Sequence, residues 1–200
     1  MDRFRCFPDR TIAAKGPVSE EFKRLKIDTF HEACRYVHEM PYGYNSDRDE
    51  FMILFKEGKG TCTTKHAVIG TLAQEIELPI QKHVGIYAMT EEIVTGTREL
   101  LERFDLPYIP MLHCFLVYDR FRVDLTEGNR NGKNRSIEEF LFTERVDPNI
   151  SGKDEYLLYR RALSDVILNR PEMKGADIRR VLQAREEGLQ LLKANIECMG

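Results

Sequence analysis

The sequence predicts an α+β fold, in which a helix headed by a cysteine packs on an antiparallel sheet and a C-terminal pair of helices covers part of it. Three observations carry this. Over residues 62–78 apolar residues recur at helical spacing, with Val68, Ile69, Leu72, Ala73 and Ile76 on one broad face. Residues 111–118 and 121–126 read as two strands around Asp119-Arg120. Residues 154–198 turn helical again, with an apolar stripe of Ile178, Val181, Leu182, Leu189, Leu192 and Ile196.

The other elements follow in order. Residues 1–17 hold Pro8, Gly16 and Pro17 and read as an irregular lead-in. Ser19 offers an N-cap to a helix whose buried side is marked by Phe22, Leu25, Ile27, Phe30, Ala33, Cys34 and Val37. Pro41-Tyr42-Gly43 stops it, and a short helix is expected over 49–56. Gly58-Lys59-Gly60-Thr61 is a turn ending in an N-cap threonine, and Pro79 ends the helix that follows. A strand is expected over 80–89, then a loop and short helix over 90–105. After a polar loop at 128–135, Ser136 and Glu139 match a capping box and predict another short helix. Arg170-Pro171 and Gly175 split the tail in two. The expected organisation is a core over 1–150 with its lead-in, and a helical extension over 151–200 packed on it.

Composition narrows the function classes. A chain of 200 residues with 42% hydrophobic and 32% charged residues is globular and needs no metal or disulfide to fold. A net charge of -3 excludes a globally basic nucleic-acid binder, so no nucleic-acid partner is expected. The first ten residues carry no apolar run, so no secretory signal is expected. The most apolar stretch, 109–118, falls far short of the roughly 20 residues of a membrane span, and no membrane partner is expected. Cys6, Cys34, Cys62, Cys114 and Cys198 are odd in number and widely spaced, which fits reduced thiols in a cytoplasmic protein.

One of these cysteines carries chemistry. Cys62 opens a helix after a glycine-rich turn, where the helix dipole favours thiolate. The unpaired first-turn N–H groups there can stabilise an oxyanion. A nucleophilic thiol needs a base, and the base needs an orienting group. If Asp119-Arg120 is a two-residue turn, residue 118 pairs with 121 and 116 with 123. His113 and Asp124 then share a sheet face as diagonal neighbours, about 7–8 Å apart at the backbone. Cys114, Leu116, Val123 and Leu125 point to the opposite, core-like face.

The segments Gly58-Lys-Gly-Thr-Cys-Thr-Thr-Lys-His-Ala67, His113-Cys-Phe-Leu-Val-Tyr118 and Arg122-Val-Asp-Leu-Thr126 together resemble the transglutaminase-like cysteine superfamily. The resemblance covers roughly residues 25–145, with Cys62, His113 and Asp124 at the matched positions. It implies a transglutaminase-like or papain-like core and acyl chemistry without a cofactor. Cys62 would attack an amide or ester carbonyl of a peptide or small substrate, His113 would move the protons, and Asp124 would hold the imidazole. Water as acceptor gives hydrolysis or deamidation, and an amine gives transamidation. Tyr42, Tyr44 and Asn45 are candidates for a second oxyanion donor. Phe115 stands where many relatives carry a tryptophan, and so is a candidate wall of the acyl pocket. The Asp and Asn residues at 124–134 are not spaced as a calcium loop.

Three rivals stand beside the triad. His66, one turn after Cys62, is an alternative base, with packing or a hydrogen bond as its simpler role. Cys34-x3-His38 and Cys62-x3-His66 offer four ligands of the kind zinc prefers. The same fold can also persist as an inactive binding module.

Overall fold

Capping chemistry sets where the first helices begin in the computed structural model, which describes residues 3–198. Helix α1, Pro17–Arg24, starts on Gly16, with proline at the first turn where its missing N–H costs nothing. Ser19 is therefore not the N-cap. It sits in the first turn, its hydroxyl accepting the Lys15 and Gly16 N–H groups, each at 3.0 Å. Glu75 reaches across to accept the Val18 and Ser19 N–H groups at 3.1 and 2.6 Å.

The single helix expected from Ser19 is two helices. Lys26 takes a left-handed conformation, φ 60°, and helix α2, Phe30–Glu39, begins afresh. Thr29 Oγ1 accepts the Glu32 N–H at 3.3 Å, and the Glu32 carboxylate accepts the Thr29 N–H at 3.0 Å. This reciprocal pair is a capping box, and its Thr-x-x-Glu signature lies inside what the apolar spacing alone reads as one helix.

Helix α3, Ile53–Glu57, ends on Gly58 in the left-handed region, and helix α4, Cys62–Glu75, starts on Thr61 as the sequence predicts. It stops short of Pro79, because Glu77 turns left-handed (φ 58°) and the Leu78 N–H closes back on the Ala73 carbonyl at 2.7 Å.

Four strands follow: β1, Gln81–Met89; β2, Ile109–Tyr118; β3, Phe121–Val123; and β4, Phe142–Arg145. They form an antiparallel sheet in the order β3-β2-β1-β4. The β2-β3 register is Leu116 with Val123, Val117 with Arg122 and Tyr118 with Phe121. It is the register of a two-residue turn, and Asp119 meets the demand for positive φ at 52°. Helix α5, Thr97–Phe104, lies between β1 and β2 in the chain.

The helix expected after Ser136 does not form. Residues 136–141 lead into β4, with the Leu141 N–H on the Ile86 carbonyl at 2.7 Å. The Phe140 ring lies where a Cβ on Gly85 would be 2.3 Å away, so the absent side chain lets it approach. Pairing with β1 overrides the local capping pattern.

The tail breaks at Pro171 as expected. Helix α6, Gly152–Ala162, runs into a π-turn at Leu163–Ile167, and helix α7 spans Ile178–Cys198. Among the described residues no helix is long and apolar enough to cross a membrane.

Contacts divide the chain into two units. The first takes the chain up to Val84, Cys114–Asn129 and Arg145–Ser151. The second takes Gly85–His113, Arg130–Glu144 and the chain from Gly152 on, so the tail helices share a unit with segments of the expected 1–150 core. In the first unit α1, α2 and α3 all pack on α4, burying Phe22, Phe30, Ile69, Leu72, Leu116 and Leu125 completely. Each such side chain contributes about 1.5–3 kcal/mol by leaving water. In the second unit α5 packs on α7, and its own core holds Tyr87, Ile109, Tyr159, Leu163 and Val181. The Tyr159 hydroxyl donates to the Pro110 carbonyl at 2.9 Å.

Thr29→Ala should lower stability by about 1 kcal/mol, the usual worth of an N-cap side chain. Chemical denaturation checks this, and an unchanged midpoint would show that Glu32 alone holds the start of α2.

Candidate active site

The turn before Cys62 is built so tightly that only glycine fits at its centre. A Cβ on Gly60 would stand 2.4 Å from Leu54 Cδ1 and 2.5 Å from Thr64 Oγ1. Thr64 Oγ1 accepts the Thr61 N–H at 3.1 Å and donates to Asn45 Oδ1 at 2.9 Å. Asn45 in turn donates from Nδ2 to Glu57 Oε2 at 3.0 Å and to the Lys59 carbonyl at 2.9 Å. Asn45 is thus a brace of the turn, with its amide committed on both sides.

Cys62 is the first residue of α4 and is half-buried. Its backbone N–H faces the Tyr42 hydroxyl closely enough to favour the phenolate. Tyr42 is delivered there by a parallel bridge to Gly60, in which the Gly60 N–H meets the Pro41 carbonyl at 3.2 Å and the Gly43 N–H meets the Gly60 carbonyl at 3.3 Å. Burial, followed by the neighbouring Cys62 and Tyr44, pushes the Tyr42 phenol well above its ordinary value of 10.0, so it keeps its proton. Tyr44 itself is on the surface, 37% exposed.

Asp124 follows the end of β3 and is held by its own turn. Oδ1 accepts both the Thr126 N–H and the Thr126 hydroxyl at 2.7 Å. His66, completely buried, fastens this segment to the head of α4. Its Nε2 accepts the Leu125 N–H at 2.9 Å and lies 3.5 Å from Asp124 Oδ1. Its Nδ1 lies 2.6 Å from the Cys62 carbonyl. An Nε2 that accepts is unprotonated, so Nδ1 carries the proton and donates to that carbonyl. Both nitrogens are engaged, and His66 acts as a fastening and not as the rival base.

Lys65 lies beside them, also fully buried. Its Nζ donates to the His38 carbonyl at 3.2 Å and to the Met40 carbonyl. Asn129 Nδ2 donates to the same two carbonyls, that of Met40 at 3.0 Å. Desolvation lowers the Lys65 pKa from 10.5 to about 8, with Asp124 opposing the shift. Sequence reasoning missed Lys65, although a signal existed. Positions 65, 69, 72 and 76 form one helical stripe, and a lysine among apolar residues there implies a buried ammonium. Asn129 gave no comparable signal.

The remaining predicted residues are placed as follows. His113 belongs to the second unit, is 2% exposed, and sets its ring edge-on to Tyr87 at 6.4 Å between centroids. Phe115, in the first unit, is buried and stacks on His83 at 5.7 Å, with the Arg122 guanidinium 5.7 Å from its centroid. The two Cys-x3-His pairs do not make a zinc site. Cys34 is buried in the first unit's core, His38 Nδ1 lies 2.9 Å from the Leu125 carbonyl, and His66 is engaged as above. Among the described residues, no three His, Cys, Asp or Glu side chains gather as metal ligands. Clefts of about 590 and 500 Å³ open in the second unit, and neither is lined by Cys62 or Asp124.

Compared with protein-family models, curated proteins and solved structures, the chain matches none.

The lowered Lys65 pKa has a consequence for stability. The unfolded chain holds this proton more tightly than the folded one, so the group's contribution to stability is constant below about pH 8 and rises from there towards pH 10.5. The unfolding free energy of the wild type minus that of Lys65→Met should therefore grow over that window. A difference that stays flat would show that the ammonium is not desolvated on folding.

Proposed function

We propose that this protein is a thiol-dependent acyl-transfer or amide-hydrolysing enzyme of transglutaminase-like type. The observation that carries the reading is Cys62 at the head of α4 with the Tyr42 hydroxyl on its N–H, in one cluster with an Asp124 locked by Thr126. The thiolate adds to an amide or ester carbonyl of a peptide or small substrate. The carbonyl oxygen becomes an oxyanion, and the protonated Tyr42 O–H is the donor that meets it. His113 gives a proton to the leaving amine or alcohol, and the C–N or C–O bond breaks to leave a thioester on Cys62. His113 then takes a proton from water or an amine as it attacks the thioester, and Cys62 leaves as thiolate.

Asp124 orients His113. Its Oδ1 is held by both Thr126 donors, which fixes the carboxylate. The two-residue turn on which this pairing rests is present, with a β2-β3 register that ends at Val123, one residue before Asp124. Phe115 forms the wall of the acyl pocket. The reaction as written draws on no cofactor, and its reduced thiol fits a cytoplasmic setting.

Two measurements test the reading. Cys62→Ala should abolish hydrolysis of an activated ester or peptide amide while leaving the melting temperature within a few degrees of wild type. Wild-type turnover by the alanine variant would remove Cys62 from the mechanism. Iodoacetamide should modify Cys62 faster than any other cysteine and remain effective well below about pH 8.5, with the buried Cys34 and Cys114 slow. Were Cys62 to react no faster than the exposed Cys198, the protein would be an inactive binding module on the same fold.

A further inference from the structure

We infer that Lys65 is a positioning residue for the Cys62 site: its buried ammonium grips the C-terminal carbonyls of α2 and thereby holds the Tyr42 hydroxyl against the head of α4. The inference rests on the acyl-transfer reading above.

Burying an ammonium is costly, and a lysine in an apolar stripe is not what packing selects. An apolar side chain of similar length would fill the same space, and such replacements are often neutral or stabilising. What the ammonium adds is geometry. The His38 and Met40 carbonyls are the last acceptors at the end of α2, where a helix favours a cation. Pro41 follows at once and, having no N–H, cannot extend the helix. Tyr42 is the next residue.

Lys65 sits three residues after Cys62 on the same helix, so one rigid turn carries both the nucleophile and the hook that holds its tyrosine partner. Asn129 grips the same carbonyls from the segment that follows Asp124. Asp124 supplies the counter-charge. If this grip is lost, the Pro41–Gly43 segment loses its anchor to the end of α2, and the phenol drifts from the position where an oxyanion forms.

Acylation and alkylation separate this role from a folding role. Acetyl transfer from p-nitrophenyl acetate to Cys62 passes through an oxyanion, whereas displacement on iodoacetamide does not. Lys65→Met should slow acetylation of Cys62 about tenfold and leave its alkylation unchanged. Tyr42→Phe should do the same, and the double variant should be no slower than the slower single variant, because both changes remove one interaction.

A Lys65→Met protein that is acetylated at the wild-type rate, that loses alkylation and acetylation together, or whose effect multiplies with that of Tyr42→Phe would overturn the inference. If Lys65→Met does not fold, Asn129→Ala takes its place in the same cycle, with the same non-additivity expected and independent effects again overturning it. Wild-type Cys62 that is alkylated but never acetylated defeats the enzyme reading itself, and this inference with it.

Discussion

His66 joins two pieces of chain that are far apart in sequence, and the first unit's site is organised around that junction. Its Nδ1–H holds the carbonyl of Cys62, and its Nε2 holds the N–H of Leu125. The head of α4 and the segment that carries Asp124 are thereby fixed to one ring. A completely buried imidazole can do this only as the neutral tautomer, with a donor at one nitrogen and an acceptor at the other. Protonation would place two N–H groups where one must accept, and would break the contact to Leu125.

Two buried ammonium groups extend the same fastening. Lys65 donates to the end of α2, and Lys82, 1% exposed, donates to the Thr63 carbonyl at 3.2 Å and the Pro148 carbonyl at 2.8 Å. Buried carbonyls without a partner are costly: Lys65 satisfies two that α2 leaves open at its end, and Lys82 satisfies that of Pro148 while adding a second donor to that of Thr63 inside α4. The first turn of α4 is therefore held through the Cys62 carbonyl by His66, through the Thr63 carbonyl by Lys82, and through the Thr61 N–H by Thr64. This rigidity is the preorganisation an oxyanion site needs, since donors that must reorient give little stabilisation.

Much of this was legible in the sequence where a signal was local. The Gly58–Thr61 turn, the start of α4, the β2-β3 turn and the break at Pro171 each depend on a few adjacent residues. Thr29 shows a local signal overlooked, because apolar spacing hid the capping box that splits the first helix. Ser136 shows the reverse case. Its capping pattern was clear, yet pairing with β1 and the space above Gly85 drew residues 136–141 into an extended lead-in to the edge strand β4. The site divides in the same way. Cys62 and its helix could be read from neighbours, whereas the lysine in the apolar stripe, Lys65, was a signal passed over. That Asn45 braces a turn, that Tyr42 meets the Cys62 N–H and that Asn129 grips the end of α2 depend on contacts between distant segments, which no periodicity records.

Whether Cys62 is a nucleophile served by His113 turns on the state of its thiol. Thiolate absorbance near 240 nm, followed against pH in the wild type, in Cys62→Ala and in His113→Gln, isolates that thiol by difference. The account predicts a Cys62 thiolate that forms well below the ordinary thiol value of about 8.5, and a midpoint that moves up when His113 is replaced. A Cys62 titration at the ordinary value, or one that His113→Gln leaves in place, would contradict it.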